Sequence, residues 1–239
     1  MNDPEEGARF EIKYPLEPAR AVRVLKELEP LLQPDAHGRE GSYSIFSIYF
    51  DTRDLSCFRE KIEGVSDRIK FRLRHYPMDG SGAWYLESKT RIRQYVKKER
   101  APLSASQAAE LVRRPLTPAA LARIIPASHP LVSQVATKLS RGVLFPTVGV
   151  YYRRRAMILR GARNVRLTVD HSLEARVPSL AASDATSRRG IAPDPWILEI
   201  KGDGILPTEV QDAIARNNLV ARSFSKYCEC VSRRRLLNV

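Results

Sequence analysis

The chain has 239 residues, 43% hydrophobic and 28% charged, a composition that excludes a wholly disordered, collagen-like or fibrous protein and leaves room for a sizeable core. Its 40 Lys and Arg outnumber 27 Asp and Glu to give a formal net charge of +13. That excess points to an anionic partner such as nucleic acid, a phosphate compound or a membrane surface, and carries no information about fold.

Taken in chain order, period-two alternation predicts a first strand from Arg9 to Tyr14, followed by a helix from Pro18 to Leu32 with Val22, Leu25, Leu28 and Leu32 on one face. Strands are expected at Ser44 to Asp51, Arg68 to Tyr76, Ala83 to Arg91 and Tyr95 to Ala101, with Asp79-Gly-Ser-Gly82 as a hairpin turn between the second and third of these. That turn favours antiparallel pairing over parallel winding. Ser104 with Gln107 reads as a capping box and Thr117-Pro118 as an N-cap followed by proline at the first helical position, so a helical insertion is expected at about 104–142. Its last helix runs from Pro130 to Leu139, with Leu131, Val132, Val135 and Leu139 inward. Further strands are expected at Thr147 to Leu159, Asn164 to Asp170 and Trp196 to Lys201, and the polar stretch at about 178–195 reads as a mobile loop. The whole, 1–239, reads as a single α+β domain built on eight strands.

The strand Arg68-Ile-Lys70-Phe-Arg72-Leu-Arg74 places four cations on one face and Ile69, Phe71 and Leu73 on the other. A solvated sheet face is the plain reading of such an array. A second pattern argues for more: Glu-x-Lys recurs at Glu11 and Lys13, at Glu87 and Lys89, and at Glu199 and Lys201, each inside an expected strand, so carboxylate and ammonium share a face. A surface built only to neutralise nucleic-acid phosphates gains nothing from glutamates beside its lysines. Carboxylate oxygens among Lys and Arg suit a hard divalent cation shared with substrate phosphates. Lys98, Arg100, Arg154 and Arg166 add cations at strand spacing, with Asp170 and Thr168 on the Arg166 face.

The sequence contains no Gly-x-x-x-x-Gly-Lys, Gly-x-Gly-x-x-Gly, His-Glu-x-x-His or Gly-x-Ser-x-Gly motif. His37, His75, His129 and His171 lack ligand spacing and read as surface or turn residues; Cys57, Cys228 and Cys230 read as reduced thiols, the last two buried near a helix. The N-terminus has no signal-peptide pattern and no apolar run reaches spanning length, so a cytoplasmic location is expected.

The ordered set Phe10-Glu-Ile-Lys-Tyr14, Ser47-Ile-Tyr-Phe-Asp51, Ile69-Lys-Phe-Arg-Leu-Arg74, Leu86-Glu-Ser-Lys89, Lys98-Glu-Arg100, Tyr151-Tyr-Arg-Arg154, Arg166-Leu-Thr-Val-Asp170, Leu198-Glu-Ile-Lys201 and Ser225-Lys-Tyr227 resembles the catalytic VTC domain of polyphosphate polymerases, within the triphosphate tunnel metalloenzymes (CYTH-like). The resemblance spans most of the chain. It implies an eight-stranded antiparallel β-barrel with surrounding helices, whose tunnel binds the triphosphate of ATP with Mn²⁺ or Mg²⁺ and transfers the γ-phosphate to a growing inorganic polyphosphate chain. Carried over by position, Lys201, Arg72, Arg74 and Lys226 would act in transfer, Lys13, Lys70, Lys89, Lys98, Arg100, Arg154 and Arg166 would bind substrate phosphates, and Glu199 would be the chief metal ligand with Glu87 and Glu11 in support. The chain carries neither the SPX domain nor the membrane helices of the fungal proteins, and in this is similar to short bacterial VTC-domain proteins; a membrane partner protein is left open. Related tunnel enzymes are triphosphatases that use water as acceptor. The alternatives are therefore an inorganic triphosphatase of the same fold, or a non-enzymatic module that binds RNA or polyphosphate with Tyr43, Tyr49, Tyr76 and Tyr95 as stacking groups; no nucleic-acid partner is expected on the first reading.

Overall fold

The computed structural model describes residues 9–36, 40–76, 83–93, 95–180, 189–190 and 194–236. The expected turn at Asp79–Gly82, His37 and most of the 178–195 loop lie outside the described residues. All eight expected strands form: β1 Arg9–Leu16, β3 Ser42–Asp51, β4 Arg68–His75, β5 Trp84–Ile92, β6 Tyr95–Leu103, β7 Phe145–Leu159, β8 Ala162–Arg176 and β10 Trp196–Asp203. Two short strands, β2 Leu32–Pro34 and β9 Arg189–Gly190, pair with β7 and β8. Among the described residues seven α-helices accompany them: α1 Pro18–Leu28, α2 Ser56–Ile62, α3 Ala105–Arg113, α4 Pro118–Ala122, α5 Pro130–Leu139, α6 Thr208–Arg216 and α7 Lys226–Leu236. The strand order is β1-β10-β8-β7-β3-β4-β5-β6, antiparallel at β1·β10, β10·β8, β3·β4, β4·β5 and β5·β6. This is an α+β fold in which β1 and β6 stand at the two ends of the strand order among the described residues. Closure into the expected barrel is not shown by strand pairing among the described residues.

The chain divides into two compact units, the first comprising Met1–Ser44, Tyr152–Leu173 and Ala192–Phe224, the second Ile45–Tyr151, Glu174–Ile191 and Ser225–Val239. In the first, alternation sends Tyr14 and Leu16 of β1, Val165, Leu167 and Val169 of β8, and Leu198 and Ile200 of β10 to one face, where Val24 and Leu28 of α1 and Val210 and Ala213 of α6 cover them. The buried stripe of α1 is Ala21, Val24 and Leu28, while Val22 is 52% exposed. The expected stripe is thus corrected at Val22 alone: Leu28 and Leu32 are buried in this cluster and Leu25 packs against it, while Ala21 and Val24 are buried in place of Val22. The helix also ends at Leu28: Glu29 keeps helical dihedrals, but Pro30 has no N–H to continue the ladder, and a 3₁₀ turn over Glu29–Leu31 leads into β2.

In the second unit the apolar face of β4, with Phe71 and Leu73 fully buried, joins Phe46, Ile48, Leu86, Ala101 and Leu103, and helices α3 to α5 cover this face with Ala108, Leu111, Leu121, Leu131 and Val135. Ser104 and Gln107 form the capping box of α3 reciprocally, and the Thr117 hydroxyl accepts from the Ala120 N–H at the start of α4. Lys138 of α5 is itself buried, bound to Glu60 of α2 at 2.5 Å. With one face of each sheet region covered by helices, the charged face is left to the site.

Candidate functional site

In the first unit, β1, β10 and β8 lie side by side with Lys13 opposite Glu199, Glu11 opposite Lys201, Thr168 opposite Glu199 and Arg166 opposite Lys201. Opposite charges therefore alternate along and across the face, the arrangement that favours cross-strand pairs. Lys13 Nζ lies 2.7 Å from Glu11 and 3.5 Å from Glu199, and Lys201 Nζ 3.2 Å from Glu199. Glu199 is only 5% exposed. Burial would push its carboxyl up, yet Lys201 and Lys13 outweigh this and hold it below the usual carboxylate range. Burial likewise opposes the Lys13 ammonium, and Glu199 with Glu11 raises it above the ordinary lysine value.

Arg154 of β7 grips the fully buried Asp170 with two bonds, Nε to Oδ1 at 2.6 Å and Nη2 to Oδ2 at 2.7 Å, while Nη2 also lies 3.8 Å from Glu199. Arg166 is not the partner of Asp170; it pairs with Asp35 at 2.8 Å and donates to the Tyr43 hydroxyl at 3.3 Å. Next to Asp170 on β8, His171 stacks on Trp196 of β10 with ring centroids 4.8 Å apart.

The second unit carries its own array. Cross-strand rows run Arg72, Glu87, Arg100 and Lys70, Lys89, Lys98 over β4, β5 and β6. Glu87 accepts from Arg72 at 2.8 Å (Nε) and 2.7 Å (Nη2), with Arg74 at 3.8 Å and Arg100 at 3.6 Å. Burial raises the Glu87 carboxyl, but Arg72, Arg74 and Arg100 together hold it below its usual range. The lysine row has like charges directly opposite one another, which costs stability in the empty protein. Lys70 makes no ion pair among the described residues: its Nζ lies 4.0 Å from the Cys228 sulfur and 5.1 Å from the Tyr227 ring centroid, and burial pushes its ammonium down. Lys89 and Lys98 are exposed, and Lys226 opens α7 half-buried.

Aromatic support is the feature that sequence reasoning missed. Tyr49 accepts from Arg72 Nη1 at 3.0 Å, Tyr76 from Arg74 Nη1 at 3.3 Å, and the Tyr85 ring centroid lies 3.4 Å from the Arg100 guanidinium carbon. In the first unit Tyr152 supports Arg154 at 5.6 Å. Only strand spacing could have found these: Tyr49 lies opposite Arg72 and Tyr85 opposite Arg74 in the ladders.

The histidines with described positions serve local structure. His75 stacks on Trp84 at 4.7 Å, and His129 caps α5 by accepting from the Leu131 N–H. All three cysteines are free and buried, Cys228 and Cys230 on α7. Of the three expected metal ligands, Glu11 and Glu199 share the first unit's array, whereas Glu87 is held by three arginines in the second. Among the described residues no three His, Cys, Asp or Glu side chains group to hold a metal ion by themselves. The Glu11 and Glu199 pair still fits Mg²⁺ or Mn²⁺, which bind through one or two carboxylates and complete their shell with water and substrate phosphates. The buried Thr168 Oγ1, which has no hydrogen-bond partner among the described residues, faces Glu199 in register and adds an oxygen donor to that pair.

The family profile of the VTC domain matches residues 8–234. The chain belongs to the VTC domain family. Its fold is similar to that of a putative adenylyl cyclase from Hippeastrum described as having a dominant triphosphatase activity, at a TM-score of 0.58 and 15% identity over 94% of this chain and 96% of that one. It is also similar to a putative adenylate cyclase from Bacillus halodurans, at a TM-score of 0.51 and 12% identity over 92% and 94%. Among curated proteins none matches. No helix among the described residues is long and apolar enough to cross a membrane.

Proposed function

We propose that this VTC-domain protein is a cytoplasmic, metal-dependent polyphosphate polymerase that transfers the γ-phosphate of ATP to a growing polyphosphate chain. The observation that carries the reading is the Glu199 cluster, where a nearly buried carboxylate held ionised by Lys13 and Lys201 lies beside Glu11 and Arg154. Such a face carries anionic ligands for a hard cation and cationic ligands for phosphate within one patch. Phosphoryl transfer asks for positioning and charge neutralisation and needs no covalent nucleophile, which agrees with the unremarkable histidines and cysteines.

In this reading Lys13, Lys201, Arg154 and Arg166 bind phosphoryl oxygens in the first unit, and Lys70, Arg72, Arg74, Lys89, Lys98, Arg100 and Lys226 do so in the second. The arginines offer paired N–H donors that fit phosphate oxygens, and their tyrosine neighbours fix the guanidinium planes before substrate arrives. Glu199 and Glu11 would hold the Mn²⁺ or Mg²⁺. That ion, when bound, polarises phosphoryl oxygens and offsets charge developing in transfer. Lys201, beside Glu199 and opposite Arg166, would neutralise the oxygen that takes the bond electrons.

A second reading is hydrolysis of triphosphate, with water as acceptor on the same array. It is favoured by the dominant triphosphatase activity in the description of the Hippeastrum protein. Incubating the purified protein with ATP and Mn²⁺ and resolving products by gel and by phosphate release separates the readings. Long chains support polymerisation, free phosphate alone supports hydrolysis, and neither product points to a polyanion-binding module.

A further inference from the structure

Two sequence motifs end on Asp51 and Tyr227, residues given no substrate or metal role above, and the structure joins them. Asp51 is fully buried at the end of β3. Its Oδ1 accepts from the backbone N–H of Thr52 at 2.7 Å and of Cys57 at 2.8 Å, and its Oδ2 from the N–H of Phe58 at 3.0 Å and from the Tyr227 hydroxyl. The carboxylate thus clamps the start of α2 and, through the phenol, the first turn of α7. Tyr227 is 2% exposed, and burial with Asp51 beside it drives its hydroxyl far above the ordinary tyrosine range, so it remains a donor.

The ring of Tyr227 has two neighbours in the cation array. Tyr49 stacks on it with centroids 5.1 Å apart and planes inclined by 30°, and Lys70 Nζ lies 5.1 Å from its centroid. Tyr49 in turn holds Arg72, which is bound on its other side by Glu87. A continuous series of contacts therefore leads from Asp51 through Tyr227 and Tyr49 to Arg72, with Lys70 as a branch.

We propose that Asp51 and Tyr227 are positioning residues for the phosphate-binding cations: Asp51 fixes the Tyr227 ring, and that ring fixes Tyr49, Arg72 and Lys70. The inference rests on the phosphate-handling reading above. Three backbone N–H groups hold Asp51 independently of the phenol, so loss of the Tyr227 hydroxyl leaves α2 anchored.

The test is a double-variant cycle on the full chain, with tripolyphosphate and Mn²⁺ as probe and affinity read by calorimetry. Tyr227→Leu is expected to weaken binding about tenfold, and Tyr227→Leu combined with Arg72→Ala to bind within about threefold of Arg72→Ala alone, since residues acting through one another do not add. Losses that multiply, or wild-type affinity in Tyr227→Leu, overturn the inference. Should Tyr227→Leu fail to fold, Tyr227→Phe keeps the ring and removes only the bond to Asp51. It and Asp51→Asn should each weaken binding about threefold, with the pair no weaker than either single change by more than a factor of about two; wild-type affinity in Tyr227→Phe overturns the inference. A wild-type protein that does not bind tripolyphosphate overturns the functional reading and this inference together, whereas multiplying losses in a binding-competent protein overturn the inference alone.

Discussion

Glu199 and Lys201 share a strand face and a salt bridge but should fail differently when altered. Glu199→Gln keeps size and removes the charge that a hard cation needs, while leaving Lys13, Lys201 and Arg154 beside a neutral amide. Turnover is expected to fall on the order of 100-fold with nucleotide binding largely kept and partial rescue at high Mn²⁺. Lys201→Ala should lower kcat about tenfold and raise KM less, because its contact strengthens as charge shifts in transfer; steady-state kinetics on both variants check this. The same cluster sets a pH signature. Glu199 and Glu87 titrate below their ordinary range, so the stability they contribute is present above about pH 4.3 and is lost as pH falls through the lower folded values. Lys13 titrates above its ordinary range, so its contribution is present below about pH 10.4 and is lost on rising through the higher folded value. Melting temperature against pH should show both limbs in the wild type and a shallower acid limb in Glu199→Gln. The Glu-x-Lys pairs were legible because strand alternation alone puts both residues on one face. The Asp51 to Tyr227 bond was not, since its partners stand 176 positions apart and only tertiary packing brings them together.

The row Lys70, Lys89 and Lys98 is an arrangement a strand assembly tolerates only at a cost, and Lys70 is its half-buried member. Lys70→Met should therefore stabilise the anion-free protein by about 1 kcal/mol, a rise in Tm of about 2–4 °C, while weakening tripolyphosphate binding about tenfold. Because burial lowers the folded value for Lys70, the cost applies at neutral pH and vanishes above about pH 10.4, where the amine is neutral in both states; the advantage of Lys70→Met should vanish with it. Thermal scans with and without anion, at neutral and alkaline pH, check all three expectations. The eight longer strands were legible, since half-buried strands announce themselves by alternation, whereas β2 and β9 are too short to alternate. The helices were legible only in part. Helices α3 to α5 carry caps and proline starts, whereas α7 reads KYCECVSRRRL, in which Tyr227, Cys228, Cys230 and Val231 make a buried side too small and polar to stand out. On α1 only Val22 was misplaced, because an apolar residue at the edge of a stripe declares its side only when something packs on it.

At the level of the whole molecule, a net charge of +13 held partly in fixed arrays predicts that a fitted polyanion and a plain one should act differently. Tripolyphosphate at about 100 times its dissociation constant should raise Tm by about 5–10 °C through binding to the folded state, and sulfate at equal ionic strength should do much less. Equal shifts would mean general screening and not a site. Such measurements have a built-in optical partner. The protein has two tryptophans, one in each compact unit, and each lies flat against an imidazole, Trp84 on His75 and Trp196 on His171. A protonated imidazole quenches the indole it touches, so acidification should dim Trp196 through His171. Burial lowers the proton affinity of His171, and the Trp196 signal should fall only at pH values under the ordinary histidine range. With Trp84→Phe or Trp196→Phe in hand, the remaining emission follows one unit at a time, and the molecule becomes its own fluorescent gauge of which half responds first to acid, denaturant or bound phosphate.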